Sequence, residues 1–182
     1  MPTTRPLTAW TIGHSTLPIE EFLARLASDR IEALADVRRF PGSRKHPQFN
    51  AEALARSLRE SSIQYLALPE LGGRRRARPD SRNVAWRNES FRGYADYMET
   101  GEFRAGLARL LECAEARRTA YMCAEGPWWR CHRALISDAL KSAGVEVRHI
   151  LPDGKTVEHP YTSAAILVDG KLSYGASSFD IF

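Results

Sequence analysis

Short apolar runs alternate with stretches of helical periodicity along most of the chain. Five of these runs have the length of buried strands, and they cover residues 8–12, 31–37, 63–68, 120–123 and 145–151. Between them, apolar residues recur at helical spacing, as from Leu135 to Ala143. Strands separated by helices favour a parallel sheet with helices on both faces. We therefore expect a Rossmann-like or flavodoxin-like three-layer α/β fold with a mostly parallel sheet of about five strands.

The pattern changes after residue 151. Asp153-Gly154 and Asp169-Gly170 are turn signals between short runs of β-prone residues. They predict a β-rich C-terminal extension over residues 152–182 that contains a β-hairpin. Because no repeat, low-complexity segment or linker interrupts the sequence, we interpret residues 1–182 as a single α/β domain.

The composition is that of an ordinary globular domain. The chain has 182 residues, of which 43% are hydrophobic and 26% are charged. No apolar run approaches the ~18 residues of a membrane span, and the first residues lack the apolar core of a signal peptide. The three cysteines have no disulfide-framework spacing. We therefore expect a cytoplasmic protein without a membrane partner.

Arginines are concentrated in two segments, although the formal net charge is only +4. The first segment holds Arg38, Arg39, Arg44 and Lys45, and the second holds Arg74, Arg75, Arg76, Arg78, Arg82 and Arg87. A basic patch attracts phosphate groups. The alternative is a solvated face without a partner, which is common for isolated arginines.

Polar loops follow each of the first four predicted strands. In an open parallel sheet, ligands bind beyond the carboxyl ends of the strands. The four loops carry Gly13-His14-Ser15, then Asp36 to Arg44, then Glu70 to Gly73, and finally Cys123 to Arg133. Loops on one edge of one sheet predict a shared basic pocket that also contains carboxylates.

The ordered motifs of these loops resemble the family of domains of unknown function numbered four-eight-eight. The motifs are Gly13 to Ser15, Asp36 to Arg44, Leu68 to Gly73, Phe91 to Met98, and Met122 to Glu125 followed by Cys131 to Arg133. The resemblance extends over about residues 8–151. It implies a compact α/β domain of bacterial type with a shared polar site, and it implies no activity.

The candidate catalytic residues are Cys131, His132, Glu125, Cys123 and Glu70. Cys131 and His132 lie near a predicted helix N-terminus, where free N–H groups favour a thiolate. Cys123 is either a second nucleophile or a packed residue at the end of a strand. Glu125 and Glu70 are either general acids or bases, or partners that neutralise nearby arginines.

Other residues of the same loops are candidates for holding a ligand. The anion-binding candidates are Arg38, Arg44, Arg133, His14, Ser15 and Ser43, because guanidinium groups bind phosphate with two hydrogen bonds. Tyr94, Tyr97, Trp86 and Trp128 are candidates for stacking on a base. The three-residue spacing of Tyr94 and Tyr97 equally fits a stripe on the core face of a helix.

Two classes of function fit these residues. The first is an enzyme that acts on a phosphate-containing or nucleobase-bearing small molecule. The second is a nucleic-acid-binding module without turnover. A structural metal domain is the least favoured, because the Cys and His residues lack the usual spacing of zinc ligands. We expect no metal and no cofactor.

Overall fold

The computed structural model describes residues 6–175, which contain a six-stranded sheet, a separate two-stranded sheet and five α-helices. The strands of the large sheet are β1 (Thr8–Gly13), β2 (Ala33–Asp36), β3 (Gln64–Ala67), β4 (Thr119–Cys123), β5 (Glu146–Ile150) and β6 (Thr156–Glu158). The helices are α1 (Ile19–Ser28), α2 (Ala51–Glu60), α3 (Glu89–Met98), α4 (Gly101–Ala116) and α5 (Arg133–Ser142). Short 3-10 turns cover Pro47–Phe49, Pro69–Leu71 and Trp128–Arg130.

The strand order is β3-β2-β4-β1-β5-β6, with the first five strands parallel and β6 antiparallel to β5. This confirms the predicted three-layer α/β fold with a mostly parallel sheet. The connection that leaves β1 crosses to β2, towards the β3 edge of the sheet. The connection that leaves β4 crosses to β5, towards the β6 edge. The direction of the crossover connections therefore changes between β1 and β4, which are neighbours in the sheet. Such a change of direction opens a crevice at the carboxyl edge of the sheet.

Two apolar clusters cover the two faces of the sheet. One contains Phe22 and Leu26 of α1 together with Leu54 and Leu58 of α2. The other joins helices α3, α4 and α5, and its members include Tyr94, Phe103, Leu110, Leu135 and Leu140. Each fully buried large apolar side chain contributes about 1.5–3 kcal/mol by leaving water. Burial on both faces explains why β2 and β4 are fully buried short strands.

The C-terminal extension forms two β-turns where the sequence predicts them. Asp153-Gly154 lies between β5 and β6, and Asp169-Gly170 joins β7 (Ile166–Val168) to β8 (Lys171–Ser173) in an antiparallel hairpin. Both glycines have positive φ angles, of 81° and 75°. The hairpin is confirmed, and residues 176–182 of the predicted extension lie outside the described part of the chain. No helix within residues 6–175 is long and apolar enough to cross a membrane.

Candidate functional site

A cleft of about 270 Å³ lies at the carboxyl edge of the sheet. Its walls come from the loops after β2, β3 and β4 and from the first turns of α3. The lining residues are Arg38, Arg39, Phe40, Gly73, Arg74, Ser90, Phe91, Tyr94, Cys123, Ala124, Glu125, Arg130, Cys131 and His132. Residues from three of the four polar loops, those after β2, β3 and β4, therefore line one cleft.

The loop after β1 contributes by fixing the loop after β4. Gly13 pairs with Cys123 in the sheet, and a Cβ atom at position 13 would overlap the carbonyl oxygen of Glu125. The backbone N–H groups of His14 and Ser15 donate to the carbonyls of Cys123 and Ala124 at 3.0 and 2.9 Å. The Gly13-His14-Ser15 motif therefore holds the start of the loop after β4 against β1.

Cys123 and Cys131 form a close thiol pair at the base of the cleft. Their sulfur atoms are 3.1 Å apart. The guanidinium Nε–H of Arg133 donates to Sγ of Cys123 at 3.0 Å, and the backbone N–H of Arg133 donates to Sγ of Cys131 at 3.4 Å. Because α5 begins at Arg133, this N–H is one of the helix donors that lack a partner within the helix.

The two thiols differ in their tendency to ionise. Burial opposes ionisation of Cys131, but the hydrogen bond from Cys123 and the charge and N–H groups of Arg133 lower its pKa to about 6. Burial, followed by the hydrogen bond to Cys131, raises the pKa of Cys123 well above its usual range. These shifts favour Cys131 as the first of the two thiols to ionise, with Cys123 as the donor in the hydrogen bond between them.

Arg133 is a buried partner of the thiols, which corrects its prediction as an anion ligand. Its side chain is only 1% exposed. Besides Cys123, the guanidinium donates to Thr11 Oγ1 at 2.8 Å and to the carbonyls of Glu125 and Gly126 at 2.7 and 2.9 Å. These contacts hold its charge beside the sulfur atoms and leave it outside the lining of the cleft.

A chain of buried hydrogen bonds continues from Arg133 to the far side of α5. Thr11 Oγ1 lies 2.8 Å from Nδ1 of His149, Nε2 of His149 lies 2.9 Å from Nδ1 of His159, and Nε2 of His159 lies 2.9 Å from a carboxylate oxygen of Asp138. The carboxylate of Asp138 only accepts, so His159 donates to it through Nε2–H. Burial keeps His149 neutral by lowering its pKa to about 2. We call Thr11, His149, His159 and Asp138 the buried relay.

The buried relay was not predicted from the sequence. Its four members come from β1, β5, the segment after β6, and α5, so no local spacing connects them. The available signal was a polar residue within an apolar pattern, since Thr11 and Asp138 lie among buried apolar neighbours on their elements. The carboxylate of Asp138 also accepts from Thr162 and Tyr174, which anchors the end of the relay.

Arg38 lines the cleft, but its guanidinium is already bound within the protein. It donates to both carboxylate oxygens of Asp36 and to the carbonyl of Phe49 at 2.7–2.8 Å. A fourth contact, of 3.4 Å, joins it to Nε2 of His14. Burial lowers the pKa of His14 to about 4, so the imidazole is neutral and accepts this hydrogen bond. His14 thus helps to position Arg38 but does not itself line the cleft.

His132 lies beside the thiols without bonding to either sulfur. Its Nε2 donates to the carbonyl of Val37 at 3.0 Å, and burial lowers its pKa to about 4. The imidazole packs against Gly73 so closely that a Cβ atom there would lie 2.8 Å from Nδ1 of His132. His132 therefore ties the loop after β4 to the loops after β2 and β3, as a neutral side chain on the wall of the cleft.

Residues 18–140 match the model of the family described as Domain of unknown function DUF488. The chain belongs to this family. The matched segment contains the cleft and both of its cysteines, whereas Gly13 to Ser15 precede it and His149 and His159 follow it. It is shorter than the stretch of about residues 8–151 over which the motifs resemble the family. No curated protein and no solved structure matches the chain.

One predicted catalytic residue, Glu70, and several predicted anion-binding residues of this DUF488 domain lie away from the cleft. Glu70 pairs with Arg109 of α4 at 3.0 Å. Ser43 caps its own loop, since its N–H donates to Asn50 and its hydroxyl accepts from the N–H of His46. Arg44 is exposed on the same loop, and neither it nor Ser15 lines the cleft. The structure therefore does not bring Glu70, Ser43, Arg44 and Ser15 to the thiols.

The predicted stacking residues mostly pack within the fold. The hydroxyls of Tyr94 and Tyr97 donate to the carbonyls of Leu71 and Glu70, as expected of a core-facing helix stripe. The guanidinium of Arg75 lies 3.6 Å from the centre of the Tyr97 ring.

The two tryptophans predicted to stack on a base, Trp86 and Trp128, also pack against other rings of the protein. Trp128 stacks on His149 at 4.3 Å, and Trp86 contacts Phe91 and Tyr174. Of the four predicted aromatic residues, Tyr94 alone lines the cleft, where Phe40 and Phe91 join it.

Three further arginines line the cleft, and the guanidinium of one of them, Arg39, donates to the carbonyl of Arg74 at 3.3 Å. Arg39, Arg74 and Arg130 are exposed, and none makes an ion pair within the described residues. Two of them belong to the basic segments seen in the sequence, but nothing there distinguished them from their neighbours. Within residues 6–175, no group of three or more His, Cys, Asp and Glu side chains has an arrangement that could hold a metal ion.

Proposed function

We propose that this protein binds a small phosphate-containing molecule in the cleft and acts on it with the thiolate of Cys131 as the nucleophile. The observation that carries the proposal is a pair of thiols, hydrogen-bonded by Arg133, at the base of a cleft that also exposes Arg39, Arg74 and Arg130. A thiolate is the nucleophilic form of cysteine, and arginine is the side chain best suited to hold phosphate.

The charges of the cleft favour an anionic ligand. Arg39, Arg74 and Arg130 come from three different loops, and Glu125 is the one carboxylate among the lining residues. Cations gathered around a concave site raise the local concentration of anions and their rate of association. Arg38 is paired with Asp36 and Arg133 is buried, whereas these three arginines are exposed, so they are the ones that we expect to contact the ligand.

The apolar part of the cleft favours a ligand with a planar group. Phe40 is 64% exposed, and Phe91 and Tyr94 also line the cleft. An exposed aromatic side chain next to cations suits the base of a nucleotide, which offers a ring to stack on and a phosphate to bind. A volume of about 270 Å³ lies near the lower end of the range for small-molecule sites.

The thiol pair favours catalysis over binding alone. An anion-binding pocket gains nothing from an additional negative charge at its base, and a buried thiolate is costly unless it is paired. Here Arg133 and the first N–H of α5 are arranged to stabilise that charge. A strongly shifted thiol in a cleft is characteristic of a nucleophile.

The arginine run from Arg74 to Arg78 favours a small ligand over nucleic acid. Arg75 lies over the Tyr97 ring, and Arg78 pairs with Glu99 at 2.7 Å. Two members of the run therefore hold the loop against α3 and the start of α4. A nucleic-acid interface would present its cations together on an open face.

The test is calorimetry with inorganic phosphate, adenosine monophosphate and a short single-stranded oligonucleotide. Arg39→Ala, Arg74→Ala and Arg130→Ala should each weaken binding of the mononucleotide by about 1–3 kcal/mol, the value of charged hydrogen bonds. Arg56→Ala, which removes an exposed arginine of α2, is the matched control and should bind as the wild type does. Equal affinity in the wild type and a triple variant lacking all three arginines would refute the anion site, and preference for the oligonucleotide would favour the nucleic-acid-binding module.

A further inference from the structure

Cys123 and Cys131 are within reach of a disulfide bond. Both are free cysteines, and their sulfur atoms are 3.1 Å apart. A disulfide bond is ~2.05 Å long, so bond formation requires the sulfurs to approach by only about 1 Å. Cys123 ends a strand and Cys131 lies two residues before the helix that follows it, so this approach involves one loop and no rearrangement of the sheet.

The surroundings of the thiols suit attack on sulfur better than attack on carbon or phosphorus. Displacing an amine or alkoxide needs a general acid at the leaving group, and the usual partner of a cysteine nucleophile is a histidine. His132 donates to the carbonyl of Val37 instead of contacting a sulfur. A thiolate leaving group needs no such acid.

We propose that Cys123 and Cys131 form a dithiol–disulfide couple that reduces small disulfides carrying phosphate or carboxylate groups. The inference rests on the proposed function, because the same arginine cleft admits the ligand and the same thiolate attacks it. It adds the nature of the electrophilic atom, which is sulfur, and a task for Cys123, which is to release the adduct formed on Cys131.

The reaction takes place in two exchange steps. The thiolate of Cys131 attacks one sulfur of the ligand, so that a bond forms between Sγ and that sulfur, the ligand's S–S bond breaks, and one ligand thiolate leaves. Cys123 then gives its proton to that thiolate and attacks Sγ of Cys131, which forms the Cys123–Cys131 bond and expels the second ligand thiolate. The protein loses two electrons and the ligand gains two, and an excess of a small thiol reverses both steps.

Arg133 serves both steps from one position. Its backbone N–H stabilises the thiolate of Cys131 before the first attack, and its Nε–H points at Cys123, where the second thiolate develops. Cys131 is 7% exposed and Cys123 is 2% exposed, and both line the cleft. Since the sulfurs are reached through a cleft of about 270 Å³, the couple should accept small disulfides and exclude those of folded proteins.

The test is incubation of the reduced wild-type protein with oxidised glutathione, coenzyme A disulfide or neutral hydroxyethyl disulfide, followed by mass spectrometry of the peptides. The expected product is an intramolecular Cys123–Cys131 disulfide with Cys113 unmodified. It should form on the order of tenfold faster with the two anionic disulfides than with the neutral one. The faster of the two anionic reagents identifies whether carboxylate or phosphate groups are preferred.

Two variants show the separate tasks of the cysteines. Cys123→Ser should accumulate a stable mixed disulfide on Cys131. Cys131→Ser should react more slowly than the wild type with all three reagents. Cys113→Ser is the matched control and should behave as the wild type does. The mapping of the wild-type product does not depend on whether any variant folds.

The possible failures distinguish the two proposals. A wild-type protein that stays reduced, or that accumulates a mixed disulfide on Cys131 with Cys123 free, overturns the dithiol couple. Formation of the Cys123–Cys131 bond at equal rates with anionic and neutral reagents supports the couple and refutes the anion site of the proposed function. A smaller ratio of the anionic rate to the neutral rate in Arg39→Ala and Arg130→Ala than in the wild type supports both.

Discussion

Arg133 donates its backbone N–H to the sulfur of Cys131 and its guanidinium Nε–H to the sulfur of Cys123, 3.0 Å away. A single residue therefore sets the position and charge of both thiols. The Arg133 side chain is buried, and its charge contributes to lowering the pKa of Cys131. Arg133 itself is held by Thr11 and by two carbonyls of the loop after β4. The reactivity of the thiols thus depends on the folded loop and on the buried relay behind it.

Replacing Arg133 by lysine should destabilise the protein and reduce the acidity of Cys131. Lysine keeps the positive charge but lacks the planar set of donors that reaches Cys123, Thr11 and two carbonyls together. We expect the free energy of unfolding in urea to fall by about 1–3 kcal/mol, because buried acceptors lose their donors. The matched control, Arg56→Lys, changes an exposed residue and should stay within about 0.5 kcal/mol of the wild type. Equal stability of the two variants would contradict this role of Arg133.

Cys131 should react with iodoacetamide as an acidic thiol. The rate of its alkylation should rise with pH through a midpoint at about pH 6, because the folded protein lowers the pKa of Cys131 to this value. Cys123→Ala removes the S–H donor and should move the midpoint upward, whereas Cys113→Ala should leave it unchanged. A midpoint for Cys131 in the range of a free cysteine, ~8.5, would show that the thiolate is not stabilised.

Acid should unfold this protein through its buried histidines. Burial lowers the pKa of His14 and His132 to about 4 and that of His149 to about 2. In the unfolded chain these side chains bind protons near their usual pKa of ~6.5, so below that pH the unfolded state binds more protons than the folded state.

The stabilisation from the neutral histidines is therefore complete above about pH 7 and is lost as the pH falls towards 4. We expect a slope of up to about 1.4 kcal/mol per pH unit for each of the three histidines. His149→Asn should reduce the slope by the share of one histidine. Urea unfolding between pH 7 and 4.5 measures it, and a free energy of unfolding that does not change over that range would contradict the buried neutral state.

Gly13→Ala should disturb the site from outside the cleft. A methyl group at position 13 would overlap the Glu125 carbonyl, which accepts a hydrogen bond from Arg133. Overpacking of this kind typically costs about 1–3 kcal/mol, and we also expect slower alkylation of Cys131. Gly42→Ala is the matched control, since a Cβ atom there meets nothing within 4 Å. If Gly13→Ala matched that control in stability and reactivity, the close packing of the two loops would not matter for the thiols.

The sequence could predict the sheet and the meeting of the loops, because short apolar runs between turn signals are a local property of the chain. It could not predict the buried relay, because Thr11 and His149 are 138 residues apart and meet only when β1 pairs with β5. Arg133 was predicted to contact the ligand because guanidinium groups bind phosphate with two hydrogen bonds. Its burial depends on acceptors from β1 and from the loop after β4, and no local pattern brings these together.

The most direct test of the account compares two alkylating reagents of different charge at two cysteines. Iodoacetate is an anion and iodoacetamide is neutral, so the ratio of their rates measures the cationic surroundings of a thiolate independently of its acidity. We predict that the rate with iodoacetate divided by the rate with iodoacetamide is on the order of tenfold higher at Cys131 than at Cys113. Replacing Arg39, Arg74 and Arg130 by alanine should lower this ratio at Cys131. Added phosphate should slow both reagents at Cys131 and neither at Cys113. Equal ratios at the two cysteines, unchanged by removal of the arginines and by phosphate, would contradict the account.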